Sequence, residues 1–135
     1  MTNKTREKLL TLAVQAASKS YSPYSTFSVG AALLTKSGKV YLGCNIENAS
    51  FSPTVCAERT AFFKAVSEGE REFTAIAVVG GKDGDFRHPS YPCGVCRQVM
   101  AEFCDTEFEI VLKNGSDIES HTLNNLLPCS FSLEK

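Results

Sequence analysis

The segment Phe73–Val79 is apolar at every position except Thr74. A strand with one wet face alternates apolar and polar residues, whereas a nearly continuous apolar run is typical of a strand covered on both faces. Neighbouring helices would have to supply that cover. The segment therefore predicts a layered α/β fold whose sheet is buried between other elements.

Segments with helical spacing and shorter apolar segments alternate along the rest of the chain. The predicted helices are 4–19, Cys56–Ser67, Cys93–Phe103 and Leu123–Leu127, and the other predicted strands are Phe27–Thr35, Val40–Ile46, Phe108–Leu112 and Ile118–Thr122. The order α-β-β-α-β-α-β-β-α indicates one mixed sheet with helices packed on it. No linker or repeat interrupts the pattern, so we predict a single domain spanning 1–135.

Composition limits the possible partners. The chain has 135 residues, 43% of them hydrophobic, and a formal net charge of −1. Because a nearly neutral chain has no basic surface to bind a phosphate backbone, we expect no nucleic-acid partner. No apolar segment follows Lys4 and Arg6 as in a signal peptide, and no apolar run approaches the ~18 residues that span a bilayer. We expect a soluble, cytoplasmic protein with no membrane partner.

Cysteine is the residue type in which we expect the function to lie. The six cysteines are Cys44, Cys56, Cys93, Cys96, Cys104 and Cys129. In a secreted chain an even count would suggest disulfides, but in a reducing compartment cysteines bind metals, act as reactive thiols or pack in the core.

Two short motifs carry the strongest signal, Cys56-Ala57-Glu58 and Pro92-Cys93-Gly94-Val95-Cys96. A Cys-x-x-Cys pair at the start of a helix can hold one zinc ion, with Zn–S distances of about 2.3 Å. Cys56 also opens a predicted helix, and we expect adjacent parallel βα units to bring the two helix N-termini together. The positive end of a helix favours thiolates. Three ligands would leave the fourth zinc position to water, as in a catalytic site.

Glu58 lies two residues after Cys56, in the same helical turn. Its carboxylate could take a proton from a zinc-bound water and deliver it to a ring nitrogen and a leaving amine. Three cysteine ligands, a non-ligating Glu and a downstream Pro-Cys-x-x-Cys form the pattern of zinc deaminases. Because the helix dipole alone also favours an acidic residue in a first turn, the prediction rests on the combination.

Other interpretations of these cysteines stay open. Cys93 and Cys96 are also compatible with a redox dithiol, or with a structural zinc clip that closes with a fourth ligand. Candidates for that ligand are Cys44, Cys104 and Cys129, although their apolar contexts favour packing. His88 and His121 are further candidates, although a solvated histidine is the commoner case.

Five segments, two of which contain the motifs described above, extend the pattern over most of the chain. They are Tyr24–Ala32, Gly43–Ala49, Cys56–Ala61, Pro92–Gln98 and Leu126–Pro128. With these segments the chain resembles the small homotetrameric cytidine deaminases. The resemblance implies a three-layer α/β/α fold with a mixed five-stranded sheet, one zinc ion per chain and a homotetramer whose subunits complete each other's pockets.

The resemblance also assigns roles to residues of the expected pocket. Asn45 and Glu47 match the residues that hold the ribose hydroxyls, and their amide and carboxylate groups suit a sugar diol. Phe27 matches the aromatic that packs against the pyrimidine ring. The backbone of Ala57 matches the position that contacts the carbonyl edge of the base. From local chemistry alone, Phe27 would be a core residue, and Asn45 and Glu47 would form a turn.

The resemblance also assigns roles to two further residues, Arg59 and Phe131. Arg59 matches the arginine that hydrogen-bonds the zinc thiolates, where its charge offsets the excess of three thiolates over Zn²⁺. Without the resemblance it would be a solvated helix residue. Phe131 matches the C-terminal aromatic that enters a neighbouring subunit's pocket. One departure is Cys129, which stands where the family has a small residue after Pro128.

The resemblance predicts hydrolytic deamination of cytidine and 2′-deoxycytidine in pyrimidine salvage, with zinc-bound hydroxide as the nucleophile and Glu58 as the proton shuttle. A tight turn at Asn114-Gly115 favours an antiparallel last strand, because parallel strands need a crossover, and free-nucleoside deaminases share that arrangement. One alternative is a zinc deaminase of another amino-heterocycle, such as a nucleoside antibiotic, guanine or a polynucleotide. The other, from a different class, is a non-enzymatic structural zinc module.

Overall fold

The computed structural model describes residues 1–135. Its helices and strands lie close to the positions that the apolar periodicity predicts. The helices are α1 (Asn3–Ala17), α2 (Ala57–Ser67), α3 (Gly94–Phe103) and α4 (Leu123–Leu126). The strands are β1 (Ser28–Thr35), β2 (Val40–Cys44), β3 (Phe73–Gly81), β4 (Glu109–Asn114) and β5 (Asp117–Thr122). None of the helices combines the length and the apolar character that a bilayer crossing requires.

One mixed sheet contains all five strands, in the order β2-β1-β3-β4-β5. β1 pairs antiparallel with both β2 and β3, whereas β3 and β4 are parallel. β5 returns antiparallel to β4 through a tight turn, in which Gly115 has a φ of 64° that glycine adopts without steric cost. The predicted antiparallel last strand is confirmed.

The sheet separates two hydrophobic clusters, as the apolar pattern of β3 predicts. On one face α1 buries Leu9, Leu10 and Ala13, together with Ala75, Ala77 and Val79 of β3. On the other face Phe62 of α2 and Met100 of α3 pack with Ile76 and Val78 of β3. Successive β3 side chains therefore enter opposite clusters, and the predicted three-layer α/β/α architecture is confirmed.

A glycine in β2 lets α2 lie very close to the sheet. A Cβ added at Gly43 would lie 2.4 Å from the carbonyl oxygen of Ala57 and 2.5 Å from the amide nitrogen of Ala61. Ala57 is the first residue of α2. Gly43 thus sets the distance between the sheet and the helix terminus that carries Cys56.

Some strand ends differ from the sequence expectation. β1 begins one residue after Phe27, β2 ends at Cys44 rather than Ile46, and β3 continues to Gly81. β2 ends early because the amide of Val29 donates a hydrogen bond to the side-chain oxygen of Asn45, at 2.9 Å. This side-chain contact takes the place of a backbone bond between β1 and β2.

The expected adjacency of the two cysteine-bearing units is wrong. β1 lies between β2 and β3 in the sheet, so α2 and α3 do not follow neighbouring strands. Both β2 and β3 run antiparallel to β1, however, and they therefore point in the same direction. The two helices consequently begin at the same edge of the sheet.

Candidate metal centre

Three cysteine sulfurs come together where α2 and α3 begin. Cys56 and Cys93 are the N-cap residues of these helices, and Cys96 lies in the first turn of α3. Neither N-cap side chain accepts a hydrogen bond from the backbone amides of its own helix. The Sγ atoms of Cys56 and Cys93 are 3.9 Å apart, and all three sulfurs lie within 4.8 Å of one another. Two motifs that are distant in sequence therefore form one cluster.

The sulfur positions fit a tetrahedral zinc ion. Two ligand sulfurs placed about 2.3 Å from such an ion lie roughly 3.8 Å from each other. The Cys56–Cys93 distance of 3.9 Å is close to this value. Thiolate is a soft ligand that suits zinc better than magnesium or calcium. The cluster contains three protein ligands, and the other cysteines and both histidines lie outside it.

The thiols of the cluster do not ionise independently. Hydrogen bonds from Cys96 and Arg59 lower the pKa of the Cys56 thiol to about 5, against the effect of burial. The contact with ionised Cys56, together with burial, raises the pKa of the Cys96 thiol above its usual range. One thiol of this pair therefore keeps its proton while the other is ionised, and binding of a metal cation would release that proton.

A carboxyl group is buried beside the sulfurs. Glu58 lies in the first turn of α2 and is 5% exposed. Burial raises the pKa of its carboxyl to about 7, and the negative charge of Cys56 acts in the same direction. A group with this pKa can accept and release a proton near neutral pH, as general acid–base catalysis requires.

The guanidinium of Arg59 lies against the same cluster. Its Nη2 donates a hydrogen bond to the Sγ of Cys56 at 3.3 Å, and its Nε is buried without a protein partner. A buried N–H that lacks a partner is costly, and the cost is smaller where negative charge is close. Ionised cysteine ligands supply that charge.

The loop before β1 carries Phe27. The ring is 37% exposed and packs over Gly80 of β3, where an added Cβ would lie 2.9 Å from the Cε1 atom of the ring. The side-chain nitrogen of Asn45 donates a hydrogen bond to the carbonyl oxygen of Phe27 at 2.8 Å. Asn45 and Phe27, which are distant in sequence, are therefore brought together.

Glu47 also forms hydrogen bonds with the loop before β1. Its carboxylate accepts hydrogen bonds from the backbone amides of Tyr24 and Ser25, at 3.0 and 3.1 Å, and from the hydroxyl of Ser25. The role of Ser25 could not be predicted from the sequence, because a hydroxyl contact across 22 residues leaves no pattern in the chain.

Comparison with protein families identifies the class. Residues 3–112 match the cytidine and deoxycytidylate deaminase zinc-binding region. The match covers more than half of the chain and includes the three clustered cysteines and Glu58. The chain belongs to this family. It is a zinc-dependent deaminase, which confirms the predicted class of enzyme and its metal.

Relatives in this deaminase family match nearly the whole chain. A cytidine deaminase from Sporosarcina psychrophila is 54% identical over 129 residues, which make up 95% of this chain and 92% of the relative. The crystal structure of cytidine deaminase from Burkholderia pseudomallei has a TM-score of 0.85 and 48% identity, covering 97% of this chain and all of that chain. This similarity confirms the predicted fold.

A relative with another substrate in its name also matches. Blasticidin-S deaminase from Bacillus cereus is 32% identical over 108 residues, which cover 77% of this chain and 76% of the relative. The relatives of this chain therefore include a deaminase named for a substrate other than cytidine.

The ring of Phe131 lies apart from the cysteine cluster of its own chain. Its ring is 69% exposed on the segment that follows α4, and its carbonyl oxygen accepts a hydrogen bond from Gln98 at 3.5 Å. The surface pocket that it borders is lined by residues such as Cys104 and Leu127, and by none of the clustered cysteines.

Proposed function

We propose that this protein catalyses the hydrolytic deamination of cytidine and 2′-deoxycytidine to uridine and 2′-deoxyuridine, with release of ammonia. The observation that carries the proposal is the buried carboxyl of Glu58 beside three converging cysteine sulfurs. The 54% identity with a cytidine deaminase supports the choice of substrate. We place the reaction in pyrimidine salvage, with residues 1–135 acting as one catalytic domain.

Cys56, Cys93 and Cys96 are the proposed ligands of one zinc ion per chain. When bound, zinc supplies Lewis acidity that lowers the pKa of a water molecule to about 7. Arg59 donates a hydrogen bond to Cys56 and offsets part of the negative charge of the ligands. Because the sulfurs must stay reduced to bind zinc, we propose a reducing, cytoplasmic location.

Glu58 moves the protons of the proposed reaction. Its carboxylate takes a proton from the attacking water and gives it to N3 of the pyrimidine while the water oxygen adds to C4. It then takes the second proton of that oxygen and delivers it to the exocyclic amine. The C4–N bond breaks and ammonia leaves. A pKa of about 7 suits a group that must act in both directions.

The remaining pocket residues bind the nucleoside. We assign the ring of Phe27 to the pyrimidine face, the backbone of Ala57 to the carbonyl edge of the base, and Asn45 and Glu47 to the sugar hydroxyls. The carboxylate of Glu47 and the backbone amide of Phe27 belong to one hydrogen-bonded unit, since the hydroxyl of Ser25 bonds to both. This arrangement supports the assignment of one substrate to both.

A homotetramer is part of the proposal. Large side chains are unusually exposed in the single chain: Tyr24 is 54% exposed, Phe51 71% and Phe131 69%. Exposed apolar side chains of this size are typical of surfaces that an assembly covers. We propose that Phe131 closes the nucleoside pocket of a neighbouring subunit.

Two alternatives make different predictions. A deaminase of another amino-heterocycle has the 32% identity with blasticidin-S deaminase in its support, against 54% identity with a cytidine deaminase. A structural zinc module would contain four protein ligands, whereas the cluster offers three.

An ultraviolet assay distinguishes these functions. We expect turnover of cytidine and deoxycytidine and none of blasticidin S, guanine or single-stranded polynucleotide. Absence of cytidine turnover would contradict the proposed function. Cobalt substitution tests the structural module, because a four-sulfur ligand shell would support it and three sulfurs with an exchangeable fourth ligand would exclude it.

A further inference from the structure

The hydroxyl of Ser25 lies between two groups of the proposed nucleoside pocket. Its Oγ donates a hydrogen bond to the Oε2 atom of Glu47 and accepts one from the backbone amide of Phe27 at 3.0 Å. One hydroxyl therefore connects the carboxylate assigned to the sugar with the residue assigned to the pyrimidine ring.

The hydrogen bonds of Glu47 leave little acceptor capacity free. The Oε1 atom accepts the amides of Tyr24 and Ser25, whereas Oε2 accepts only the hydroxyl of Ser25. A carboxylate oxygen accepts about two hydrogen bonds. The position for a sugar hydroxyl is therefore the second acceptor site of Oε2, and its direction depends on where Ser25 holds that oxygen. The hydrogen bond from Ser25 also lowers the pKa of Glu47 and keeps it ionised.

The backbone next to Ser25 is strained. Thr26 has a φ of 58°, in the left-handed region that a β-branched residue rarely adopts. Such a conformation persists only when its surroundings hold it. The hydrogen bond from Phe27 to the hydroxyl of Ser25 spans Thr26, and the amide of Thr26 donates to the carbonyl oxygen of Ser22 at 3.0 Å. Ser25 thereby helps to fix the direction in which the chain enters Phe27.

We propose that Ser25 is a positioning residue that fixes the spacing between the sugar-binding carboxylate of Glu47 and the ring-packing face of Phe27. The inference rests on the proposed function, because it assumes that Glu47 and Phe27 bind the same nucleoside. It adds a residue that touches no reacting atom: the backbone amide of Phe27 holds the hydroxyl of Ser25 in place, and this hydroxyl orients the carboxylate of Glu47.

The first test compares three variants with the wild type in steady-state turnover of cytidine. Ser25→Ala should raise KM about tenfold and change kcat less than about threefold, as expected for loss of a hydrogen bond to a charged group. Ser25→Thr keeps a hydroxyl and should recover most of the loss. Ser52→Ala is the control, because Ser52 is exposed and its hydroxyl makes no hydrogen bond. A wild-type KM in Ser25→Ala would overturn the proposal.

The second test uses binding alone, so that it does not depend on turnover. Calorimetry with uridine and with 2′,3′-dideoxyuridine, which lacks the sugar diol, should show about tenfold weaker binding of uridine to Ser25→Ala and unchanged binding of dideoxyuridine. Equal weakening of both ligands would show a general disturbance of the loop and overturn the inference. If the wild type binds uridine but does not deaminate cytidine, the proposed function fails while the role of Ser25 is still decided.

A double variant tests whether Ser25 acts through Glu47. In a Glu47→Gln background, adding Ser25→Ala should weaken uridine binding less than about twofold, because the carboxylate that Ser25 orients is already absent. A further tenfold loss would show that the two residues act independently and would overturn the proposal. Thermal unfolding of every variant checks that each one is folded.

Discussion

The Nη2 atom of Arg59 lies 3.3 Å from the Sγ atom of Cys56, on the first turn of the same helix. Three thiolates around Zn²⁺ carry a net charge of −1, which weakens the metal as a Lewis acid. A guanidinium that hydrogen-bonds one of the sulfurs withdraws part of this charge without taking a coordination position. Arg59 and Cys56 therefore form an electrostatic pair within the proposed zinc site.

Arg59→Gln should lower zinc affinity about 10- to 100-fold, the usual effect of losing a partner that hydrogen-bonds a metal ligand. Arg59→Lys keeps the charge but not the planar donors, and should lose less. Competition with a chromogenic chelator measures the affinity. Arg71→Gln is the control, since Arg71 bonds only backbone carbonyl oxygens at the end of α2. Unchanged affinity in Arg59→Gln would mean that the pair does not support the metal.

Replacing the buried carboxyl of Glu58 should lower turnover without loss of zinc. Glu58→Gln preserves the shape of the side chain but cannot carry protons, so turnover of cytidine should fall by at least ~100-fold. Zinc content should stay at one ion per chain, because Glu58 is not part of the sulfur cluster. Metal analysis and the ultraviolet assay measure the two effects. Glu68→Gln, at the exposed end of the same helix, is the control. Near-normal turnover would remove Glu58 from the mechanism.

The sequence predicts those parts of the fold in which the hydrophobic pattern of a segment decides which of its residues are buried. The apolar run of β3 indicates a sheet covered on both faces, and the covering helices show the expected spacing. Cys56 and Cys93 meet because each one opens a helix, a feature that local sequence also reveals.

Contacts between segments that are distant in sequence could not be predicted in the same way. The end of β2 depends on the hydrogen bond between Asn45 and Val29, and the order of strands places β1 between β2 and β3. Neither feature alters the hydrophobic periodicity of its own segment. Ser25 is missed for the same reason, since its partner Glu47 lies 22 residues away.

The close approach of α2 to β2 predicts a large effect of a small substitution. Gly43→Ala would place a Cβ 2.4 Å from the carbonyl oxygen of Ala57, so the helix must move away from the sheet. We expect a loss of about 2–3 kcal/mol in the free energy of unfolding, as for an overpacked core. Because α2 carries Cys56, zinc affinity should fall as well.

Urea denaturation measures this change in stability. Gly94→Ala is the control, because a Cβ there meets no atom within 4 Å and Gly94 lies at the start of α3. That variant should be unchanged or more stable by up to about 1 kcal/mol, since alanine favours a helix. Equal stability of the two variants would show that the contact between α2 and β2 is loose.

The exposed ring of Phe131 makes subunit complementation the sharpest test of the proposed tetramer. Phe131→Ala leaves Glu58 intact in its own chain, whereas Glu58→Gln leaves Phe131 intact for a neighbour. Each variant alone should be nearly inactive. Random assembly of the two from equal co-expression should restore about a quarter of the wild-type sites, those that combine Glu58 of one chain with Phe131 of another. Light scattering checks that mixed tetramers form. Activity no higher than that of either variant, in tetramers of confirmed mixed composition, would place Phe131 outside the neighbouring pocket.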